Sequence, residues 1–577
     1  MRRTVVFLKV VNSATRFHIF GVFKHKVQSD AVKSMVKVHT RRHHTARMMD
    51  VKTTKVSKAR YYIFKLFLCL RYYLDLLIDR LFGIYYDSKR EYIPKVKNQL
   101  VLESATALAR KIQRRELTSV QVVEAFIERI QQVNPIINAI VDNRFEDALS
   151  EARQIDQDIA NGTIQEVDFQ DKPFLGVPFT SKESTAAKGL SWTFGLKKRQ
   201  GKKASFDAHC IESMKKSGAI LLGVSNVPQL NLWQETSNPV FGLTRNPYNT
   251  TRNVGGSSGG EAAILAACGS PLGVGTDIGG SARIPAFMCG VFGHKISNSI
   301  VSTKGLTYRT GEEEETMVCV GPLARHVDDL LPFIKLLAGS NADRLNLGLQ
   351  VPVKKLKVYY VTNPKDPLMS PFREEMHSVL LKAVRHLEGL CLEKPQELVF
   401  EQLQHQYKLW KYWMSLEMKN FRKDLNNREG DQVNAVWEII KHFLFGGDFT
   451  TATVFNLING FLKPVNSVWA VEVTQSLKEA FLTKLDDNSV LLYPSAPFPA
   501  SYHNAALLRP YNFDCFALWN TMKFPVTQVP MGLGKEGLPL GVQVVAAPDQ
   551  DRLCLAVAKE LEREFGGFVP PVIVADK

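Results

Sequence analysis

The stretch that decides the fold, residues 253–286, reads NVGGSSGGEAAILAACGSPLGVGTDIGGSARIPA and holds four serines among many glycines. Glycine-rich segments are often flexible linkers, but this one runs directly into residues 262–268, a small apolar run that favours helix and must pack against a core. The sequence therefore predicts an ordered loop. No Gly-Lys-Ser/Thr closes the loop, which argues against a P-loop type of phosphate site.

Two of the serines, Ser257 and Ser258, satisfy the G-x-S-x-G pattern of an α/β-hydrolase nucleophile elbow. Such an elbow needs an apolar strand directly before the serine, and the polar residues 246–253, NPYNTTRN, do not provide one. It also needs a downstream acid and then a histidine. Late in the chain only His503 is present, in a polar loop. The elbow remains an alternative that the local sequence disfavours.

The second serine cluster, GTDIGGSARIPA, places Ser281 after two glycines. Consecutive backbone N–H groups in such a turn can hold an oxyanion, so this serine lacks only a base. Lys182 ends the apolar run PFLGVPFTSK, where burial would lower its pKa toward the neutral, basic form. Each signal is weak alone, but together they predict a nucleophile and its base.

The motifs FLGVPFTSKES, GGSSGGEAA and GTDIGGSARIPA resemble the amidase signature family, serine hydrolases with a Ser-Ser-Lys triad. Ser257 follows Lys182 by 75 residues and precedes Ser281 by 24. The likeness extends to FGHK, SVLLYPSAP, FPVTQVPMGL and GLPLGVQVV, and it covers about residue 100 to the C-terminus. Within the family, the GGSSGGE form and a hydrophobic N-terminal helix are similar to the fatty-acid amide hydrolases, above all their type-2 branch.

This resemblance implies a role for each residue of the triad. Lys182 is the general base, Ser257 follows a cis peptide bond and relays the proton, and Ser281 is the nucleophile. The resemblance implies an oxyanion hole built from the backbone N–H groups of Ile278, Gly279, Gly280 and Ser281. It assigns no metal or cofactor.

The same resemblance leaves Ser258, Asp277 and Arg283 as residues that hold the loop rather than react. Three positions depart from the family pattern: Ser181, Ala282 and Ile296. None of them removes a catalytic atom, so they bear on substrate fit rather than on activity.

From about residue 100 onward, strand-like and helix-like runs alternate, which favours an α/β fold. We expect residues 98–577 to form one large amidase-signature domain, a twisted mixed sheet covered by helices on both faces. The expected strands are 174–181, 219–227, 356–362, 490–494, 526–530 and 540–546. A helix is expected to begin with a capping box at Thr118 and Gln121 and to end before Asn134 and Pro135.

The net charge of +16 invites a nucleic-acid interpretation. Residues 1–60, however, contain fifteen Lys or Arg and only two acids, so the remainder of the chain carries just +3. We therefore expect no nucleic-acid partner. The basic tail fits a disordered arm, a targeting presequence, or an upstream extension with the true start at Met48 or Met49.

Residues 61–86, YYIFKLFLCLRYYLDLLIDRLFGIYY, form the most hydrophobic window, yet five charges interrupt it. On a helical wheel Arg71, Asp75 and Asp79 form one row, while the opposite side is apolar. The apolar side consists of Leu66, Phe67, Leu70, Leu74, Leu77 and Leu81. This pattern predicts an amphipathic helix lying in a membrane surface. Packing on the protein's own core and a single membrane span are the alternatives.

These observations predict a membrane-associated serine amidase that hydrolyses fatty-acid amides or N-acylethanolamines to fatty acid and amine. The expected partners are the lipid amide and a membrane of the endoplasmic reticulum or lipid droplet type, and a homodimer is left open. The alternatives are a glutamyl-tRNA amidotransferase A subunit and an inactive membrane-bound binding module. We expect the aromatic-rich part 408–462 to line the acyl path, with residues 443–445 as an exposed apolar tip.

Overall fold

The structure is a computed structural model that describes residues 53–307 and 316–571. The basic tail up to residue 52, including Met48 and Met49, lies outside the described residues. The chain divides into two compact units, one up to Tyr73 and the other from Leu74 onward.

Strands fill the centre of the second unit. In chain order they are β1 (Ile140–Asn143), β2 (Pro178–Lys182), β3 (Ile220–Ser225), β4 (Ser237–Asn238), β5 (Gly242–Leu243), β6 (Leu272–Asp277), β7 (Phe292–Lys295), β8 (Cys319–Ala324), β9 (Lys357–Tyr360), β10 (Gln396–Glu397), β11 (Ser489–Pro494), β12 (Val526–Leu533) and β13 (Pro539–Val545). Within the described residues, eleven of them form one sheet in the order β1-β3-β2-β6-β8-β7-β12-β13-β11-β9-β10. Strand β2 is parallel to both of its neighbours, β3 and β6, whereas the pairs from β6 to β11 are antiparallel.

Helices flank this sheet, which confirms the predicted α/β class. In chain order they are α1 (Thr53–Tyr86), α2 (Ala105–Gln113), α3 (Ser119–Ile137), α4 (Phe145–Ala160), α5 (Asp168–Asp171), α6 (His209–Lys216), α7 (Gly259–Ala266), α8 (Arg283–Cys289), α9 (Leu330–Ala338), α10 (Glu374–Leu390), α11 (Gln406–Glu417), α12 (Phe421–Asp424), α13 (Ala435–Phe445), α14 (Thr451–Asn459), α15 (Ser467–Leu482), α16 (Asp514–Met522) and α17 (Asp551–Phe565).

All six expected strands are present, and the other seven described strands were not predicted. Two of these, β6 and β7, contain glycines that dilute their apolar pattern. In β6 the glycines allow close packing. A Cβ at Gly273 would lie 2.3 Å from Oε2 of Glu261, and a Cβ at Gly275 would lie 2.9 Å from Oγ of Ser258. The missing side chains therefore let α7 and its preceding loop lie directly on the strand.

The capping box of α3 is confirmed, since the side chains of Thr118 and Gln121 each accept from the other's backbone N–H. The expected end before Asn134 is wrong, because the helix continues to Ile137 with Pro135 inside it. Proline removes one N–H donor, but its fixed φ is close to the helical value. The helix ends instead at Asn138, which adopts the left-handed conformation with φ 50°.

Helix α1 turns its acidic side chains toward the protein. Within the second unit, Asp75 is buried and its Oδ1 lies 3.2 Å from Nε of Arg509, which is itself buried. Asp79 contacts both Arg509 and Arg373. The acidic row of the predicted polar face is therefore an internal ion-pair cluster rather than a solvated stripe.

The leucines of the same helix are exposed. Leu74, Leu77 and Leu81 keep 51%, 54% and 56% of their surface accessible. These three leucines therefore do not pack on the protein's own core, whereas Ile78, Phe82 and Tyr86 of the same helix pack with Tyr502 in a small apolar cluster. Among the described residues, no helix combines the length and apolar character needed to cross a membrane.

The ion-pair cluster makes a testable contribution to stability. Arg509→Met removes the cation shared by Asp75 and Asp79, and breaking a buried pair costs about 3–5 kcal/mol. We expect a clear drop in the Tm of the full chain measured by differential scanning fluorimetry. Lys559→Met is the matched control, because Lys559 and Asp328 form an exposed pair worth about 0–1 kcal/mol. Equal Tm values for the two variants would contradict a buried role for Arg509.

Candidate active site

Lys182 is the last residue of β2 and is fully buried. Its Nζ donates to Oγ of Ser257 at 2.7 Å and to Oγ1 of Thr276 at 2.9 Å. Burial lowers the pKa of this lysine from 10.5 to about 7, because the charged form loses its hydration. Asp277, Glu261 and Glu183 oppose that shift without cancelling it.

Glu261 is a second buried titratable group near Lys182, on the first turn of α7. Its Oε2 accepts a 2.8 Å hydrogen bond from Oγ1 of Thr180 on β2. Burial raises the pKa of this carboxyl from 4.5 to about 8, although hydrogen bonds from Ser225 and Thr180 pull the other way. At neutral pH the carboxyl is therefore mostly uncharged and holds Lys182 in its ammonium form only weakly.

Ser257 precedes α7, and the peptide bond between Gly256 and Ser257 is cis, as the resemblance implies. Ser281 lies between β6 and α8 and is 8% exposed. The two loops are joined directly, because the backbone N–H of Ser258 donates to the carbonyl oxygen of Ser281 at 2.9 Å. The structure thus brings all three predicted catalytic residues to one region.

The loop that carries Ser281 is held by a buried ion pair. Nε of Arg283 lies 3.0 Å from Oδ2 of Asp277, and both side chains have no exposed surface. Burial would raise the pKa of Asp277, but the charge of Arg283 outweighs it and lowers the pKa to about 2. Asn520 donates to Asp277 and Gln543 accepts from Arg283. Sequence reasoning missed both amides, because they lie more than 200 residues along the chain.

One of the four N–H groups assigned to the oxyanion hole is already occupied. The N–H of Gly280 donates to Oδ1 of Asp277 at 2.8 Å. This leaves the N–H groups of Ile278, Gly279 and Ser281 as the candidates for an oxyanion. Thr276, the second partner of Lys182, was also missed, although its place at the end of a strand beside β2 could have signalled it.

Ser258 and His503, which the nucleophile-elbow alternative would use for catalysis, make structural hydrogen bonds instead. Ser258 is fully buried, with its Oγ 3.3 Å from the backbone N of Thr276. Both ring nitrogens of His503 are engaged, one with Glu235 Oε1 at 2.8 Å and the other with the carbonyl oxygen of Thr250 at 3.0 Å. Among the described residues, no group of three His, Cys, Asp or Glu side chains could hold a metal ion.

Comparison with known proteins decides the family. Residues 121–555 match the family model described as Amidase. This chain belongs to the amidase signature family. It is 41% identical over 487 residues to "Fatty-acid amide hydrolase 2-A" of Danio rerio, covering 83% of this chain and 92% of the relative. It is 39% identical over 486 residues to "Fatty-acid amide hydrolase 2" of Homo sapiens, covering 82% and 91%.

A solved structure entitled "Fatty acid amide hydrolase" shares the fold, with a TM-score of 0.66 at 21% identity over 83% of this chain and 88% of that one. Together with the family match, the relatives show that this amidase is an amide-bond hydrolase.

Two cavities that share several lining residues lie beside Ser257 and Ser281. The larger, of about 560 Å³, is lined in part by Ser257 and Thr276. The smaller, of about 90 Å³, is lined by Ser281 together with an aromatic group. The aromatic side chains that line this smaller cavity are Trp233, Tyr407, Trp410, Phe455, Tyr511 and Phe513. The walls common to both cavities are Asn231, Leu232, Ile278, Met414 and Met418.

The aromatic-rich part 408–462 divides between cavity and surface. Trp410 and Trp413 line the cavities. Trp437 is instead 53% exposed, so its expected role in the acyl path gains no support. Residues 443–445 form the expected exposed tip, with 66%, 69% and 73% of their surfaces accessible.

The pKa of Lys182 predicts the pH dependence of this amidase. A base whose pKa is lowered to about 7 is protonated at pH 6 and neutral at pH 8. We expect kcat/KM to rise across that interval and to level off above it, when measured with a soluble amide whose chemistry is rate-limiting. A profile that is flat from pH 5 to 9 would contradict a lysine base.

Proposed function

We propose that this amidase is a membrane-associated serine hydrolase that cleaves long-chain fatty-acid amides and N-acylethanolamines to fatty acid and amine. The observation that carries the proposal is the 2.7 Å hydrogen bond from Lys182 to Ser257 in a buried site. It gives one serine a base whose pKa is near neutrality, directly beside the loop of a second serine.

In the proposed acylation step, neutral Lys182 takes a proton from Ser257 while Ser257 takes one from Ser281. Oγ of Ser281 bonds to the amide carbon, and the carbonyl π electrons move to oxygen as an oxyanion. When the intermediate collapses, the carbon–nitrogen bond breaks. The proton returns from Lys182 through Ser257 to the leaving nitrogen, so the amine departs neutral and the acyl group stays on Ser281.

Deacylation uses the same groups with water in place of the amine. Water gives its proton through Ser257 to Lys182 as its oxygen attacks the acyl carbon. Collapse breaks the ester bond, and the proton returns to Oγ of Ser281. In both steps the N–H groups of Ile278, Gly279 and Ser281 stabilise the oxyanion, while Asp277 and Arg283 hold the loop that carries them.

The cavities support a lipid substrate. The larger cavity lies within the 300–1,000 Å³ typical of small-molecule sites, and the smaller one borders Ser281 with aromatic and methionine side chains. A long acyl chain exposed to water costs about 0.8 kcal/mol per CH₂. The apolar side chains that border Ser281 therefore favour acyl amides over small polar ones.

The exposed apolar surface of α1 supports membrane association. A helix whose charged row is bound to protein presents its leucines outward, which fits insertion into a bilayer surface. The exposed tip 443–445 is a second apolar element of the same kind. We propose an intracellular membrane, of the endoplasmic reticulum or lipid droplet type, as the location.

Replacement of the proposed nucleophile tests the chemistry. Ser281→Ala should abolish turnover of oleamide and labelling by a fluorophosphonate probe, because the substitution removes the hydroxyl that would form the acyl-enzyme. Ser258→Ala is the matched control and should retain labelling, since Ser258 is buried in a structural position. Retention of the wild-type melting curve shows that Ser281→Ala is folded. Near-normal turnover by folded Ser281→Ala would end the proposal.

Replacement of the exposed leucines tests membrane binding separately. Leu74→Ser, Leu77→Ser and Leu81→Ser together remove about 1.5–3 kcal/mol of apolar burial per side chain. We expect the triple variant to move from the liposome-bound to the free fraction in flotation assays, with kcat on a short soluble amide retained. Unchanged flotation would mean that another part of the chain anchors the protein.

A further inference from the structure

Trp410 of α11 lies directly against the loop that carries the nucleophile. Its indole Nε1 donates to the carbonyl oxygen of Ile278 at 3.3 Å. The indole lies so close to the loop that the residue after Ile278 must be glycine. A Cβ on Gly279 would lie 2.9 Å from Nε1 and 3.2 Å from two ring carbons of Trp410.

This hydrogen bond fixes the orientation of one peptide group. The carbonyl of Ile278 and the N–H of Gly279 belong to the same planar trans peptide unit, so they point in opposite directions. When the indole holds the carbonyl oxygen on its own side, the N–H of Gly279 is directed away from Trp410. The loop cannot turn this peptide over without losing the indole hydrogen bond.

The indole is itself held by its aromatic neighbours. The rings of Trp410 and Phe513 pack edge to face with centroids 4.8 Å apart. Tyr407 packs in turn against Phe513 and, at 4.5 Å, against Tyr511. Since the donor is locked by packing, its hydrogen bond to Ile278 is preorganised.

The next peptide of the loop is held in a different way, because Gly280 N–H donates to Asp277. The orientations of two successive N–H groups of the loop are thus fixed by two different hydrogen bonds. A carboxylate fixes that of Gly280, and an indole fixes that of Gly279. The carboxylate consumes its N–H group. The indole binds the carbonyl instead and leaves the N–H of Gly279 available.

We propose that Trp410 is a positioning residue that preorganises the oxyanion hole by fixing the Ile278–Gly279 peptide. The inference rests on the proposed function. Trp410 does not touch the reacting atoms through this bond. It acts by keeping the Gly279 dipole aimed at the place where negative charge develops, where preorganised donors contribute most to catalysis.

The test compares two inhibitors with the same acyl chain. A long-chain aldehyde adds to Oγ of Ser281 with loss of the carbonyl π bond. The serine proton passes through Ser257 to Lys182, which leaves a hemiacetal oxyanion in the hole. The corresponding alcohol fills the same cavity without forming an oxyanion. The ratio of the two inhibition constants, alcohol over aldehyde, therefore reports on the oxyanion hole and not on the cavity wall.

We expect Trp410→Phe, which keeps an aromatic ring but lacks the N–H donor, to lower this ratio by about tenfold. Complete removal of one oxyanion donor costs about 10²–10³ in kcat, and here the donor remains but loses its constraint. The alcohol should bind within about twofold of its wild-type affinity. Incorporation of β-(3-benzothienyl)alanine at position 410 replaces only the N–H by sulfur and should give the same result if Trp410→Phe folds poorly.

Trp413→Phe is the matched control. Trp413 is on the same helix and also faces a cavity, but its indole N–H donates to Oγ1 of Thr474 at 3.0 Å instead of to the loop. The control should leave the inhibitor ratio unchanged. Two outcomes would overturn the inference. One is an inhibitor ratio that stays at its wild-type value in both variants at position 410, and the other is a ratio that falls as much in Trp413→Phe as in those variants. A wild-type protein that prefers neither inhibitor would instead count against the proposed function.

Discussion

The exclusion of water from the ammonium group of Lys182 is the constraint on which the site depends. Strands β3 and β6 flank β2 on both sides, and the lysine at the end of β2 has no exposed surface. Its two hydrogen-bond acceptors are neutral hydroxyls, and the nearby carboxylates are weakened as counter-ions. Glu183 and Glu261 have raised pKa values because they are buried, and the charge of Asp277 is directed to Arg283. The surroundings therefore consistently favour the neutral amine.

The sequence was most informative where function depends on local geometry. The glycines at 279 and 280, the spacing of Lys182 from Ser257, and the apolar run of β2 all follow from short motifs, and the structure brings these residues together. The sequence could not predict hydrogen bonds between residues that only the tertiary fold brings together. Trp410 lies 132 residues from the carbonyl that it binds, and no periodicity or motif links two such positions. The hydrogen bond from the Gly280 N–H to Asp277 was not predictable for a similar reason, since only the folded loop brings the two groups together.

Helix α1 shows a different limit of pattern reasoning. A helical wheel separates charged from apolar positions correctly, but it does not say which side meets water. The usual assumption places charges in solvent, and here Asp75 and Asp79 instead meet the buried Arg509 and the partly buried Arg373. The division into a charged and an apolar side was correct, but the wheel did not show that the acidic row would meet protein instead of water. The arginines that decide the orientation lie about 300 and 430 residues further along the chain.

That separation orders events during protein synthesis. The ribosome makes the chain from its N-terminus at about 5–20 residues per second, so Arg509 follows Asp79 by roughly 20–90 s. Throughout this interval the emerging helix lacks its final cation partner. Until Arg509 has been made, its ion pair with Asp75 cannot form. The ion-pair cluster that holds the acidic side of α1 against the protein is therefore completed only after most of the chain has been synthesised.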